Sequence, residues 1–141
     1  MRRVWRLVVV LVALTGIVGG SGPSAAGDSK SSVVISVENA WAKVGEKAVL
    51  VATISVRDGL RITDSYRHRI IKLSASDGGV ELEREVVPGS IQDDSIVFAV
   101  RVTPRSAGTH AVHGVFRFSY HHGDELDIRS APFAATVTAT E

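Results

Sequence analysis

Apolar residues recur at every second position through most of this chain, and that period restricts it to β structure. Ile96, Phe98, Val100 and Val102 alternate with Val97, Ala99, Arg101 and Thr103. Val112, Gly114, Phe116, Phe118 and Tyr120 alternate with His113, Val115, Arg117, Ser119 and His121. Successive side chains of a strand point to opposite faces, so each set belongs to one face of a pleated sheet. Pro104 and the Ser106-Ala107-Gly108 turn between the two runs predict a hairpin. A third clear run places Ala48, Leu50, Ala52, Ile54 and Val56 on one face.

Shorter strands are predicted over 33–37, 60–62, 70–75, 80–87 and 133–140. Ile71, Leu73 and Ala75 are expected inward on the third of these, and Phe133, Ala135, Val137 and Ala139 on the last. Turns are expected over 40–46, at Asp58-Gly59, at Asp77-Gly78-Gly79 and at Pro88-Gly89. Loops are expected over 92–94 and 123–132. No window carries a helical stripe. Seven or eight strands at near-regular spacing predict an all-β chain, an immunoglobulin-like antiparallel β-sandwich.

The first residues read differently. Arg2, Arg3 and Arg6 precede an apolar run over 7–18, then small residues to Ser24-Ala25-Ala26. That is the order of a secretory signal peptide, with cleavage after Ala26. The run falls short of the roughly 20 residues that span a bilayer, so no stable membrane insertion is expected once it is removed. One domain then occupies 27–141, with a flexible lead-in over 27–32 and an extracytoplasmic location, periplasmic or secreted. Cleavage takes three of the 16 basic residues and none of the 15 acidic ones, so the formal charge falls from +1 to −2. A charge so near zero gives no support for nucleic acid or an anionic membrane as partner. The chain has no cysteine, which excludes disulfides, thiol redox chemistry and Cys-ligated zinc.

No catalytic constellation stands out. No serine sits in a Gly-x-Ser-x-Gly elbow, and no glycine-rich loop opens a helix, so no catalytic residue and no cofactor is assigned. The five histidines raise a metal-binding alternative, a periplasmic copper or zinc protein. His110 and His113 fall on opposite faces of a strand, and His113 and His121 stand about 26 Å apart along one. No ligand set is assigned, and solvent-exposed histidines are expected. Asp124, Glu125 and Asp127 read as a solvated turn, and Arg67, His68 and Arg69 as a polar strand edge.

A family resemblance enters through the order of features. Val56-Arg57-Asp58-Gly59-Leu60, Arg69-Ile70-Ile71-Lys72-Leu73, the Val97–Val102 run, Ser106-Ala107-Gly108, and Phe118-Ser119-Tyr120 before a loop ending at Pro132 follow one another. This order resembles the periplasmic amino-terminal domain of the thiol:disulfide interchange proteins (DsbD) over residues 37–138. The resemblance implies an immunoglobulin-like sandwich. It also implies a cysteine pair just after the Tyr120-like aromatic, which passes electrons from a membrane partner to periplasmic proteins. Those positions fall near Gly123 and Arg129, and neither is cysteine. The loop that caps the pair in the family corresponds to residues 88–94, which are short and lack an aromatic. The redox activity therefore does not carry over. What remains is a non-enzymatic exported module expected to bind another extracytoplasmic protein. The expected contact residues are Tyr120, His121, His122, Asp124 and Arg129, and the oligomeric state is left open.

Overall fold

In the computed structural model, residues 8–9 and 32–141 are described. Apart from Val8, Val9 and Ser32, the expected signal peptide, its cleavage after Ala26 and the lead-in lie outside the described residues. Eleven strand segments follow one another: β1 (Val8–Val9), β2 (Val33–Glu38), β3 (Ala40–Lys43), β4 (Ala48–Val56), β5 (Arg61–Ile62), β6 (Arg69–Ala75), β7 (Val80–Leu82), β8 (Val87–Gln92), β9 (Ser95–Pro104), β10 (Gly108–His122) and β11 (Glu125–Thr140). There is no helix among the described residues.

The strands form the two layers of an immunoglobulin-like β-sandwich. One sheet runs β1-β2-β4-β9, with β7 and the second half of β8 on the far side of β9. The other runs β6-β10-β11-β3, with β5 beside the end of β10. Pairing is antiparallel except where β3 lies parallel to the end of β11. Apolar side chains at alternate positions close over a shared interior, which is the arrangement that removes most hydrocarbon from water. Phe98 comes from the first sheet and Phe116 and Phe133 from the second. Phe98 and Phe116 have ring centroids 5.3 Å apart, Phe116 and Phe133 5.4 Å. All three are essentially fully buried.

Two strands pass between the sheets. Val87 and Pro88 pair with β6, whereas Gly89–Gln92 pair with β9, so β8 laces the layers together along one side. Pro88-Gly89 is therefore a crossing point inside a strand and not the break that composition predicts. A Cβ on Gly89 would lie 2.6 Å from Ile96 Cγ2 and 2.7 Å from Phe98 Cε1. Only a glycine lets the backbone come that close to the core. The second crossing is β2 into β3. At its corner the Asn39 side-chain carbonyl accepts the Thr136 N–H at 2.9 Å, standing in for a missing strand. The segment 40–46, expected to be turn, is thus partly strand.

Other expectations are corrected. β9 and β10 form no hairpin: they belong to different sheets, and residues 105–107 carry the chain from one layer to the other. The true partner of β10 is β11, which begins at Glu125, so residues 125–132 are strand and not loop. Residues 83–86 interrupt the run predicted over 80–87. On β6 Ile70 and Leu73 are buried and Ala75 packs against the core partly buried, so the expected inward set holds at Leu73 and Ala75 and fails at Ile71, whose place Ile70 takes. Lys72 takes φ +54°, and the register against β10 slips there, which marks a bulge. One extra residue shifts the alternation, and Gly114 opposite leaves room for Ile70 and Leu73.

Phe116→Ala should cost about 3–5 kcal/mol of stability, because it empties the contact between the sheets. Lys72→Gly, which relieves a left-handed backbone under an exposed side chain, should add about 0.5–1 kcal/mol. Urea unfolding of both variants checks the two signs.

Candidate functional site

The long β10–β11 hairpin sets the candidate contact end. Its register runs without a break from Gly108 opposite Ala139 to His122 opposite Glu125. A two-residue turn, Gly123-Asp124, closes it, with Gly123 at φ +58°. Residues directly opposite one another share a face. Tyr120 opposite Asp127, and Phe118 opposite Arg129, therefore lie on the core-side face. His122 shares that face and approaches the Asp58-Gly59 turn. His121 lies on the other face opposite Leu126, and Asp124 is in the turn. The five sequence-predicted residues thus occupy one tip but do not converge on one surface. Tyr120 stacks on Phe118 at 6.2 Å, packs against the core, and is only partly accessible.

Sequence reasoning missed Leu126 and Ile128. They are 55 % and 54 % exposed, on the outer face of β11. The signal was present, since Leu126, Ile128 and Ser130 alternate with Glu125, Asp127 and Arg129. The charged residues of that alternation look like a solvated loop when the strand is not extended back to the turn. All of residues 125–130 are exposed. Arg129 and Asp127 face each other at 3.9 Å, too far and too wet to hold the tip closed. The ring nitrogen Nδ1 of His121 is shielded and has no hydrogen-bond partner among the described residues.

The histidines are not uniformly exposed, contrary to expectation. His68 is 3 % exposed and His110 5 %. The segment 63–68 folds over the outer face of β10. There Ser119 N–H donates to His68 Nδ1 at 3.3 Å, while Nε2–H donates to the Thr63 carbonyl at 2.8 Å. Ser119 Oγ–H donates to Thr63 Oγ1 at 2.9 Å. Tyr66 meets the His68 ring edge-on at 5.3 Å. Both ring nitrogens are thereby used with the ring neutral. Burial holds the His68 pKa below its ordinary value, against the opposing pull of the Thr63 carbonyl and Asp64.

His110 is the opposite case. Nε2–H donates to the Ser106 carbonyl at 2.7 Å, and Nδ1–H to both Asp77 oxygens at 3.0 and 3.1 Å. The Ser106 carbonyl, then Asp77, raises the His110 pKa, and the His110 bond lowers that of Asp77. Asp77 also accepts the Gly79 N–H at 2.7 Å, so the 77–79 turn is clasped to the start of β10. Aspartate, histidine and serine meet here, but the histidine bonds the serine's main-chain oxygen. Nε2 therefore holds a proton toward a carbonyl and is not placed to take one from a hydroxyl. Among the described residues, no three His, Cys, Asp or Glu side chains gather as a metal site would require.

The sequence matches no family model and no curated protein. Two solved structures overlap in shape. One is AggA, the major subunit of aggregative adherence fimbriae type I from Escherichia coli, at 11% identity and TM-score 0.43, covering 77% of this chain and 94% of that one. The other is the ASH/PapD-like domain 7 of human CEP192, at 10% identity and TM-score 0.40, covering 78% and 86%. Neither likeness bears on function.

The two buried histidines titrate with opposite signs. His68 is depressed, so the unfolded chain takes up its proton first, and stability falls as pH drops below about 6.5. His110 is raised, so its contribution is complete below about 6.5 and fades as pH rises through its folded value. His110→Gln should therefore destabilise more at pH 5.5 than at pH 8, and His68→Gln should flatten the loss on the acid side. Melting temperatures of both variants across that range check the signs.

Proposed function

We propose that this protein is a non-enzymatic β-sandwich module that binds another extracytoplasmic protein through the β10–β11 tip. One observation carries the reading: Leu126 and Ile128 stand exposed together on the outer face of a strand end, with Asp124 in the adjoining turn and Glu125, Asp127 and Arg129 exposed on the opposite face. Exposed apolar side chains side by side on an otherwise polar strand end are a common anchor of transient protein interfaces. The resemblance to the DsbD amino-terminal domain points to the same end of the sandwich. Without cysteines, the contact would be made with no electron transfer. The leader read in the sequence supports an extracytoplasmic setting. The copper or zinc alternative lacks comparable support, since His68 and His110 already spend both ring nitrogens on protein partners.

Affinity capture from an extracytoplasmic fraction should recover a specific partner. Leu126→Ser with Ile128→Ser should weaken the measured affinity roughly 10- to 30-fold, the scale of a lost interface anchor. Tyr120→Ala with His122→Ala should weaken it as well. The first pair is solvent-exposed, so its effect is free of any cost to folding. Recovery of the same proteins at unchanged affinity by both variants would place the contact elsewhere.

A further inference from the structure

Trp41 is 68 % exposed, although an indole is among the side chains that gain most from burial. It stands on β3 between Ala40 and Ala42, which pack against the core, so its ring belongs to the outer face of the second sheet. A polar residue would serve a four-residue border strand as well, and folding therefore does not account for the exposed ring.

Three rows of side chains cross that face from β3 towards β6. In the first, Trp41 stands beside Thr138, and the Thr138 and Thr109 hydroxyl oxygens are 3.4 Å apart. In the second, Thr136 lies opposite Ala111, with Asn39 at the border. In the third, Ala134 lies opposite His113, and His113 opposite Ser74. A hydroxyl stands in every row, and the two alanines keep the floor between them low. A groove of about 340 Å³ opens along the second and third rows, lined there by Asn39, Ala111, His113, Ala134 and Thr136. That volume falls at the lower end of ligand sites, roughly 300–1,000 Å³. The Asn39 carbonyl accepts the Thr136 N–H, which leaves its amide N–H2 as a donor beside the groove.

The lining selects the chemistry of what fits. Among the described residues, no Asp, Glu, Lys or Arg lines the groove, so it suits a neutral ligand. Lys43 lies beyond Trp41, on the side away from the groove. Leu126 and Ile128 share this face but begin ten residues along β11 from Thr138, roughly 33 Å. A protein interface gathers several apolar anchors into one patch. A single indole beside hydroxyl, amide and imidazole groups instead matches a molecule that is apolar on one flat side and hydrogen-bonding around its edge, as a pyranose ring is. The border of β11 beside the groove is also a poor place to add a strand. There the Thr136 nitrogen points outward to Asn39, and by the same alternation so does that of Pro132, which carries no hydrogen.

We propose that this face binds a neutral, gluco-configured oligosaccharide. One ring stacks its C–H side on Trp41, and the neighbouring units run over Thr138 and Thr136 into the groove, where Asn39 and His113 meet their hydroxyls. The Trp41 and His113 rows are four residues of strand apart, about 13 Å, which admits about two or three pyranose units. These residues differ from those of the β10–β11 tip, and the site stands apart from the protein contact proposed there.

The test uses the full-length chain with Trp5→Phe, which leaves Trp41 as the sole indole. Cellotetraose and chitotetraose are the probes, because their equatorially substituted rings present flat C–H sides. At least one should change the Trp41 emission saturably, with calorimetry giving the same Kd. In calorimetry Trp41→Ala should weaken binding about 10-fold or more, the scale of a lost aromatic anchor, and Trp41→Phe should recover part of the loss. Thr138→Val should weaken it roughly 2- to 10-fold, the scale of one hydrogen bond. Leu126→Ser with Ile128→Ser should leave it unchanged. Trp41 is exposed, so its variants keep the core, and melting temperatures confirm it. Absence of a saturable response to either sugar in the millimolar range would overturn the proposal, as would binding that Trp41→Ala leaves intact. Tighter binding of tetragalacturonate would overturn it too, by showing that an anion is preferred. Loss of a captured protein on Trp41→Ala, with no response to sugar, would assign the face to that protein instead.

Discussion

The run of ring contacts from Phe98 to Phe116 and on to Phe133 is the interaction on which the rest of this structure depends. It is the place where the two sheets meet most deeply. Each ring comes from the middle of a long strand, so the contact fixes the stagger of β9 against β10 and β11. Edge-to-face and tilted ring pairs add about 0.5–1.5 kcal/mol each beyond burial, and they prefer particular angles. That directional term is modest beside the area term, but it distinguishes one alignment of the sheets from its neighbours. Gly89 belongs to the same arrangement. Its missing side chain admits the Phe98 ring edge and lets β8 cross at that level.

The faces of the strands were legible in the sequence because period 2 reports burial directly. Ile96 to Val102, Ala48 to Val56 and Phe133 to Ala139 all point as their alternation requires. Which strands pair was not legible. Alternation says which way a side chain points and nothing about its neighbour across the ladder, so β9 and β10, adjacent in sequence, look like a hairpin although they lie in different sheets. Lys72 shows a second limit. A bulge adds one residue and reverses the parity after it, and an exposed lysine carries no mark of a left-handed backbone. Pro88-Gly89 shows a third: the same dipeptide can end a strand or carry it between layers, and only the packing around Gly89 tells which.

The candidate site was legible in part. Position along the chain pointed to the tip at Tyr120–Arg129, but the charges of residues 124–129 hid a strand whose alternate residues are Leu126 and Ile128. For the histidines the difficulty was of another kind. A lone histidine has no pattern, and its state depends on groups far away in sequence. His68 is held by Ser119, and His110 by Asp77. Burial pushes one toward its neutral form and the acceptors pull the other toward its charged form, although both are undistinguished polar positions in the sequence. Each ties an irregular segment to β10, which is why they contribute to the scaffold and not to a reactive centre.

Pro132 has a consequence for how such a molecule behaves in a crowd. A sandwich with two receptive rims can stack copy upon copy into a fibre. Here Pro132 interrupts one rim, because a ring nitrogen without hydrogen cannot join a new ladder at that position, and β8 covers part of another. An interruption at Pro132 shortens the ladder that a second copy could add along β11, which lowers the tendency of such a domain to stack.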